Sequence, residues 1–371
     1  MYMHDGERYL VVDAQVHAWD GSAANQAGPA GEQFVADLHH RHRVLDRKPR
    51  PLPADEFERV GERALVADVF GYGHVDRAVL QPLGLGELFV LGFSPSAWHA
   101  ELAEPLGGRL VVTGELDPGA DRSVSRGLTA WVRRDSLRGF ALVSARRPET
   151  RMALAESWMR RALARGEQAG AGVVHIGVGP VAHPPPGAPA WAHAGVPDRP
   201  ARPAGRARWP SWAEPVRAGS ALPVRARNAR PLPAGGFDAT ELRVLAAALP
   251  RVRFVLGSGC LPTGVLCRLA RLSNVNVLLT DVLVAMRTHA GEAGPALDAM
   301  LAAFGPGRLL FGSGYPLVRP QRLVGEAVAA LRERGLEPGD VQAVMGANAA
   351  GLYRIPVPGA LVHGGQAARA R

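Results

Sequence analysis

Short apolar runs alternate with amphipathic stretches along most of the chain. The first apolar run is YLVVDAQVH (9–17). Phe57, Val60, Ala64, Leu65 and Val69 then recur at helical spacing and predict a helix. VDRAVLQP (75–82), a helix near 96–105 and RLVVTGELDP (109–118) follow. A polar helix leads to LRGFALVS (137–144), and a helix over about 150–169 stops at Gly170 before GVVHIG (172–177). Asp238 with Glu241 three residues on has the form of a capping box for a helix reaching Leu249. VRFVLG (252–257), VNVLLT (275–280) and RLLFGS (308–313) complete eight strand candidates, with helices between and after them.

VVD, AVLQ, LVVTG, RFVLG and NVLLT are continuously apolar rather than alternating, which is how strands covered on both faces read. Strand–helix alternation predicts a parallel sheet. Eight units favour a (β/α)8 TIM barrel over an open doubly wound sheet. No GxGxxG follows the first strand, and GLGEL (84–88) is too weak a substitute, so a dinucleotide site is not expected. There is no internal repeat.

Composition changes this picture in one place. The chain has 371 residues, is 47% hydrophobic and carries a net charge of +9. Lys48 is its only lysine, so no strand lysine is available for a Schiff base or a metal-bridging carbamate. The segment 182–235 holds twelve prolines, eight arginines and two acids, Asp198 and Glu214, and so supplies +6 of the total. Proline at that density predicts a long irregular insertion after the fifth strand. Its arginines with Trp191, Trp209 and Trp212 could contact a polyanion, but a solvated insertion is the plainer reading and a nucleic-acid partner is not expected. The barrel is expected over 1–356 and a frayed tail over 357–371. Cys260 and Cys267 are the only cysteines, which excludes a disulfide framework and a Cys-built zinc site. No apolar run is long enough to span a bilayer. Nothing in residues 1–10 reads as a secretory signal, so a cytoplasmic location is expected.

In a barrel of this kind the chemistry sits at the C-terminal ends of the strands. Those ends read Asp13-Ala14-Gln15-Val16-His17, Val174-His175-Ile176, Gly257-Ser258-Gly259-Cys260, Thr280-Asp281 and Gly312-Ser313-Gly314-Tyr315-Pro316. Asp13, Gln15 and His17 share one face by the period of two. His17 is a candidate general base, Asp281 a candidate acid or base, and Gln15, Tyr315 and Arg319 candidate substrate contacts. Each has a structural alternative: an internal hydrogen bond for His17, His175 and Gln15, and a loop cap for Asp281. Glu115 and Asp117 form a weaker carboxylate pair, Asp117-Pro118 being turn-like. Cys260 has no evident His partner. His39, His40 and His42 are expected on a solvent face.

VVDAQVHAWD, GVVHIG, PRVRFVLGSGCLP and FGSGYPLVRPQRLV with the closing GANAAGLYRI are similar to the amidohydrolase-related family. That family includes the aminocarboxymuconate-semialdehyde decarboxylase-like metal-dependent hydrolases and carboxy-lyases. The resemblance covers nearly all of the chain outside the insertion and the tail, and its most specific part is the C-terminal block. It implies a TIM barrel and a divalent metal, often zinc, held by His-x-His on strand 1, single histidines on strands 5 and 6 and an aspartate on strand 8. The metal lowers the pKa of a bound water. Here His17 and His175 stand at ligand positions, while Gln15, Ser258 and Gly314 replace the other three. The expectation is therefore no metal, or a weakly bound divalent one. The resemblance implies a hydrolase or carboxy-lyase scaffold for a small organic substrate, of carboxylated or cyclic type. The alternative is a catalytically inactive pseudoenzyme serving as a binding or partner subunit, as a homodimer or with an active paralogue.

Overall fold

The computed structural model describes residues 1–47, 50–116, 124–142, 154, 157–177 and 237–357. The segment 182–235, Asp117 and the tail from 358 on lie outside the described residues.

Eight strands form one sheet in sequential order: β1 (Val12–Val16), β2 (Arg77–Leu80), β3 (Leu110–Leu116), β4 (Gly139–Leu142), β5 (Val173–Ile176), β6 (Arg253–Gly257), β7 (Val275–Leu278) and β8 (Leu309–Leu310). Every neighbouring pair is parallel. The sheet closes just beyond β8, where Phe311 O accepts from Ala14 N at 3.0 Å, Gln15 O from Gly314 N at 3.0 Å and Tyr315 O from His17 N at 2.8 Å. The (β/α)8 barrel anticipated from the apolar runs is the architecture found, each strand lying within its expected segment. β4, β5 and β7 are buried at every position, because helices cover the outside while side chains fill the inside.

The barrel interior starts as an apolar layer of Val12, Ala14, Val79, Val173, Val255, Leu278 and Leu310. Ala349, Ala350 and Tyr353 from the last helix, Asn348–Tyr353, pack into the same cluster. The next inward positions along the strands are the polar Gln81, Thr113, His175 and Thr280. A short antiparallel hairpin (Tyr2–His4 with Glu7–Tyr9) precedes β1.

The helices depart from expectation in two places. The helix predicted across residues 57–69 is broken: Ala54–Glu58 is helical, Arg59–Val60 pairs with Trp19–Asp20, and the chain resumes as Glu62–Leu65 and the wider turn Val66–Gly71. Trp19 Nε1 donates to Phe57 O at 2.7 Å, so a tertiary contact holds the break. The solvent face expected for the histidines near residue 40 holds for exposed His40, but His39 is half-buried and His42 is a correction. On the helix Pro29–Leu45, His42 is fully buried; its Nδ1 donates to Leu317 O at 2.9 Å and its Nε2 accepts from Leu52 N at 2.8 Å. Two ring nitrogens satisfied by the backbone make this a packing histidine. Among the described residues no helix is long and apolar enough to cross a membrane.

Candidate active site

The polar centre of the barrel is organised by Gln81, one residue past β2. Its backbone O accepts from His17 Nδ1 at 2.7 Å, and its Nε2 donates to Ala14 O at 3.2 Å. A carbonyl can only accept, so Ala14 fixes which end of the Gln81 amide is nitrogen. That same nitrogen lies 2.9 Å from His175 Nε2, and the Tyr353 hydroxyl contacts His175 Nε2 as well. The Tyr353 ring stacks on the imidazole with centroids 5.8 Å apart. Thr113 Oγ1 bonds Leu80 O at 2.8 Å and lies 3.1 Å from Gln81 Oε1. One glutamine thus ties together β1, β3, β5 and the last helix.

Both imidazoles are buried and held neutral. Burial lowers His17 to about 4, against a smaller opposite effect from its bond to the Gln81 carbonyl. Burial, and then the nearby His17, lowers His175 to about 3. Each ring keeps one nitrogen without a partner among the described residues, His17 Nε2 and His175 Nδ1. A third histidine, His99, has its Nε2 at 2.9 Å from Ser94 Oγ; burial lowers it to about 3 and its Nδ1 is likewise unpaired.

The wall beside β1 and β8 is tightly packed. Asp13 Oδ1 accepts from Gln15 N at 3.1 Å and Ser313 N at 2.9 Å, which locks the first strand to the last. Burial raises Asp13 to about 6, partly offset by its Ser313 and Gln15 bonds. Gln15 is 4% exposed. A Cβ on Gly312 would meet Thr280 Oγ1 at 2.5 Å and Gln15 Cβ at 3.2 Å, so only glycine fits between them.

The residues singled out from the sequence separate into two groups. The structure gathers His17 and His175 on Gln81, sets Gln15 beside Gly312, and places Gly314 next to Thr280. Others are engaged elsewhere. Ser258 Oγ accepts from Val282 N at 3.1 Å, at the start of the helix Thr280–Ala285. Asp281 Oδ2 accepts from Gly259 N at 3.0 Å; burial raises this carboxyl, while the Gly259 bond and then the charge of buried Arg41 pull it back. The Tyr315 hydroxyl donates to Asp68 Oδ2 at 3.1 Å, and burial pushes that phenol well up. Arg319 Nε donates to Asp46 Oδ2 at 2.6 Å, and its Nη2 bonds Arg50 O. Burial likewise pushes the Cys260 thiol far up, away from the thiolate a nucleophile needs.

Gln81, Thr113 and Tyr353 were not singled out from the sequence. Gln81 carried a signal, a polar residue at the C-terminal end of an apolar strand. Tyr353 carried none, since nothing local to NAAGLY says that its side chain enters the barrel.

These residues do not fit the divalent metal that the resemblance implies. Among the described residues no three His, Cys, Asp or Glu side chains are grouped so as to hold an ion. His175 Nε2 is taken by Gln81 and Tyr353, one Asp13 oxygen by two amides, and Gly314 offers no donor. Two neutral imidazoles fall short of the three or four strong ligands a zinc site uses.

No family model and no curated protein matches the chain. Solved structures do. An amidohydrolase from Burkholderia multivorans with bound HEPES aligns at TM-score 0.55 and 18% identity, over 94% of this chain and 100% of that one. A second crystal form of a Burkholderia multivorans amidohydrolase contains zinc and aligns at TM-score 0.55 and 17% identity, over 94% and 100%. An uncharacterised TIM-barrel protein from Bordetella bronchiseptica aligns at TM-score 0.57 and 15% identity, over 93% and 98%. The chain therefore has the (β/α)8 barrel fold of amidohydrolase structures, the fold that the strand-end motifs pointed to.

Proposed function

We propose that this barrel is an amidohydrolase-type scaffold acting on a small organic substrate, as a hydrolase or carboxy-lyase, without a tightly held metal. His17 is the proton-transfer group in this reading. One observation carries it: His17 Nε2 is buried without a partner among the described residues while Nδ1 is anchored on Gln81 O at 2.7 Å. A carbonyl accepts, so Nδ1 bears the proton and Nε2 presents a lone pair, which is the form a general base needs. Asp281 belongs in this reading to the support of the β6 end, through Gly259 and Arg41, rather than to proton transfer.

A second reading, a non-catalytic partner subunit, draws on the engagement of Tyr315 and Arg319 with Asp68 and Asp46. Two measurements separate them. Protein purified without chelator should carry well under one zinc or other divalent ion per chain. It should also turn over some member of a panel of lactones and aryl carboxylates, followed by acid or carbon dioxide release. His17→Asn should then lower kcat by roughly 100- to 10,000-fold, the usual range for loss of a general base. A stoichiometric metal would sink the metal-free reading. A His17→Asn enzyme at full rate would remove His17 from the chemistry, and no turnover across the panel would favour the partner reading.

A further inference from the structure

The two central histidines present opposite hydrogen-bonding faces. His175 Nε2 faces the Gln81 amide nitrogen at 2.9 Å and the Tyr353 hydroxyl. The amide nitrogen has no lone pair to offer, and its orientation is set by Ala14 O. His175 Nε2 must therefore accept, which puts the proton on Nδ1. That Nδ1–H is fully buried with no acceptor among the described residues. His17 is the complement, its Nδ1–H spent on Gln81 O and its Nε2 lone pair left without a donor. Both rings are fixed to the same residue, so among the described residues one donor and one acceptor stand unpaired on the two buried rings that Gln81 holds. A buried polar nitrogen left unpaired loses its hydration without compensation.

We infer that His17 Nε2 and His175 Nδ1 together form a site for a single ligand oxygen that both donates and accepts, a neutral hydroxyl or a water, and that Gln81 and Tyr353 are the positioning residues that set it. This rests on the reading of the barrel centre as the reacting site and deepens it. A hydroxyl donates a hydrogen bond to His17 Nε2 and accepts one from His175 Nδ1–H. A carboxylate oxygen has no proton to give and satisfies only His175. The pair therefore selects a neutral hydroxyl-bearing substrate, or an attacking water, over an anion.

The test needs no turnover, so its failure is distinct from failure of the proposed reaction. Long-range proton–nitrogen spectra of protein labelled with nitrogen-15 in histidine report which ring nitrogen carries the proton. His17→Gln and His175→Gln variants assign the lines. The expected result is Nδ1–H for both rings. In Tyr353→Phe with Gln81→Leu, both donors to His175 Nε2 are gone, and His175 should become a mixture of tautomers while His42 keeps its lines. Titration with methanol should move His17 Nε2 and His175 Nδ1 along one common saturation curve, and acetate should not move His17. If bound water holds the site, methanol displaces it and the common curve persists. An Nε2–H form of His175 in the unaltered protein would overturn the inference. So would separate methanol curves, no methanol response, a double variant that leaves the tautomer unchanged, or one equivalent of zinc moving both rings.

Discussion

Asp13 is a buried carboxyl that does structural work across the barrel seam, holding the amides of Gln15 and Ser313. Burial raises it from the ordinary 3.8 to about 6. The folded protein therefore binds a proton here more tightly than the unfolded chain does. This residue contributes most below pH 3.8, and the contribution is lost as pH rises through 6, on the order of 3 kcal/mol for about two pKa units. Asn keeps an acceptor for the same amides without the buried charge. The melting temperature of Asp13→Asn relative to the unaltered protein should therefore rise between pH 4 and pH 7.5, and a flat difference would show the carboxyl is not neutralised by burial. His17, His99 and His175 have the opposite sign. Their lowered folded values mean stability present above pH 6.5 and lost as pH falls toward 4 and 3. Much of this chemistry was legible at single positions, since His17, His175 and Gln15 were identified from their places at strand ends. Their partners were not, because Gln81 and Tyr353 lie 64 and 178 residues away from His17 and His175.

At the scale of elements, strands were easier to read than helices. A strand buried on both faces announces itself by a run of apolar residues, as in RFVLG, whatever it pairs with. A helix with one buried stripe also depends on its surroundings. The break at Arg59–Val60 follows from pairing with Trp19–Asp20, which the pattern Phe57, Val60, Ala64, Leu65 cannot contain. The end signal at Asp238 was local and holds. Its side chain accepts from Thr240 N at 2.7 Å and caps Ala239–Ala248, while Glu241 Oε2 takes Leu154 N at 3.0 Å. Asp238→Ala should cost about 1 kcal/mol in urea unfolding with the slope unchanged, as for a lost cap. A cost near zero would mean that solvent replaces the cap.

For the molecule as a whole, closure of the barrel and the lack of a metal-ligand set among the described residues both involve the β8 end. Gly312 and Gly314 let this turn approach β1 and Thr280 closely enough for Ala14, Gln15 and His17 to be bonded across the seam. Gly314 has φ +71°, and a Cβ there would lie 3.0 Å from Thr280 Cγ2. An aspartate at this position is therefore strained by its backbone as well as by its neighbour, at roughly 1–3 kcal/mol. Ser258 faces a second obstacle, since its hydroxyl is bonded to Val282 N and a histidine there would lose that bond. From the sequence alone, Gln15→His, Ser258→His and Gly314→Asp together would be expected to rebuild a zinc site. The structure predicts instead that the triple variant melts several degrees lower and takes up less than one zinc per chain. His175 Nε2 remains engaged by Gln81 and Tyr353 even after the three ligands are restored, which keeps the proton on Nδ1 and leaves that ring no lone pair for a metal. Equilibrium dialysis against zinc decides the matter. Full uptake at unchanged stability would mean that the β8 end and the His175 network yield to a metal, and that the barrel centre is set by its ligands rather than by Gln81.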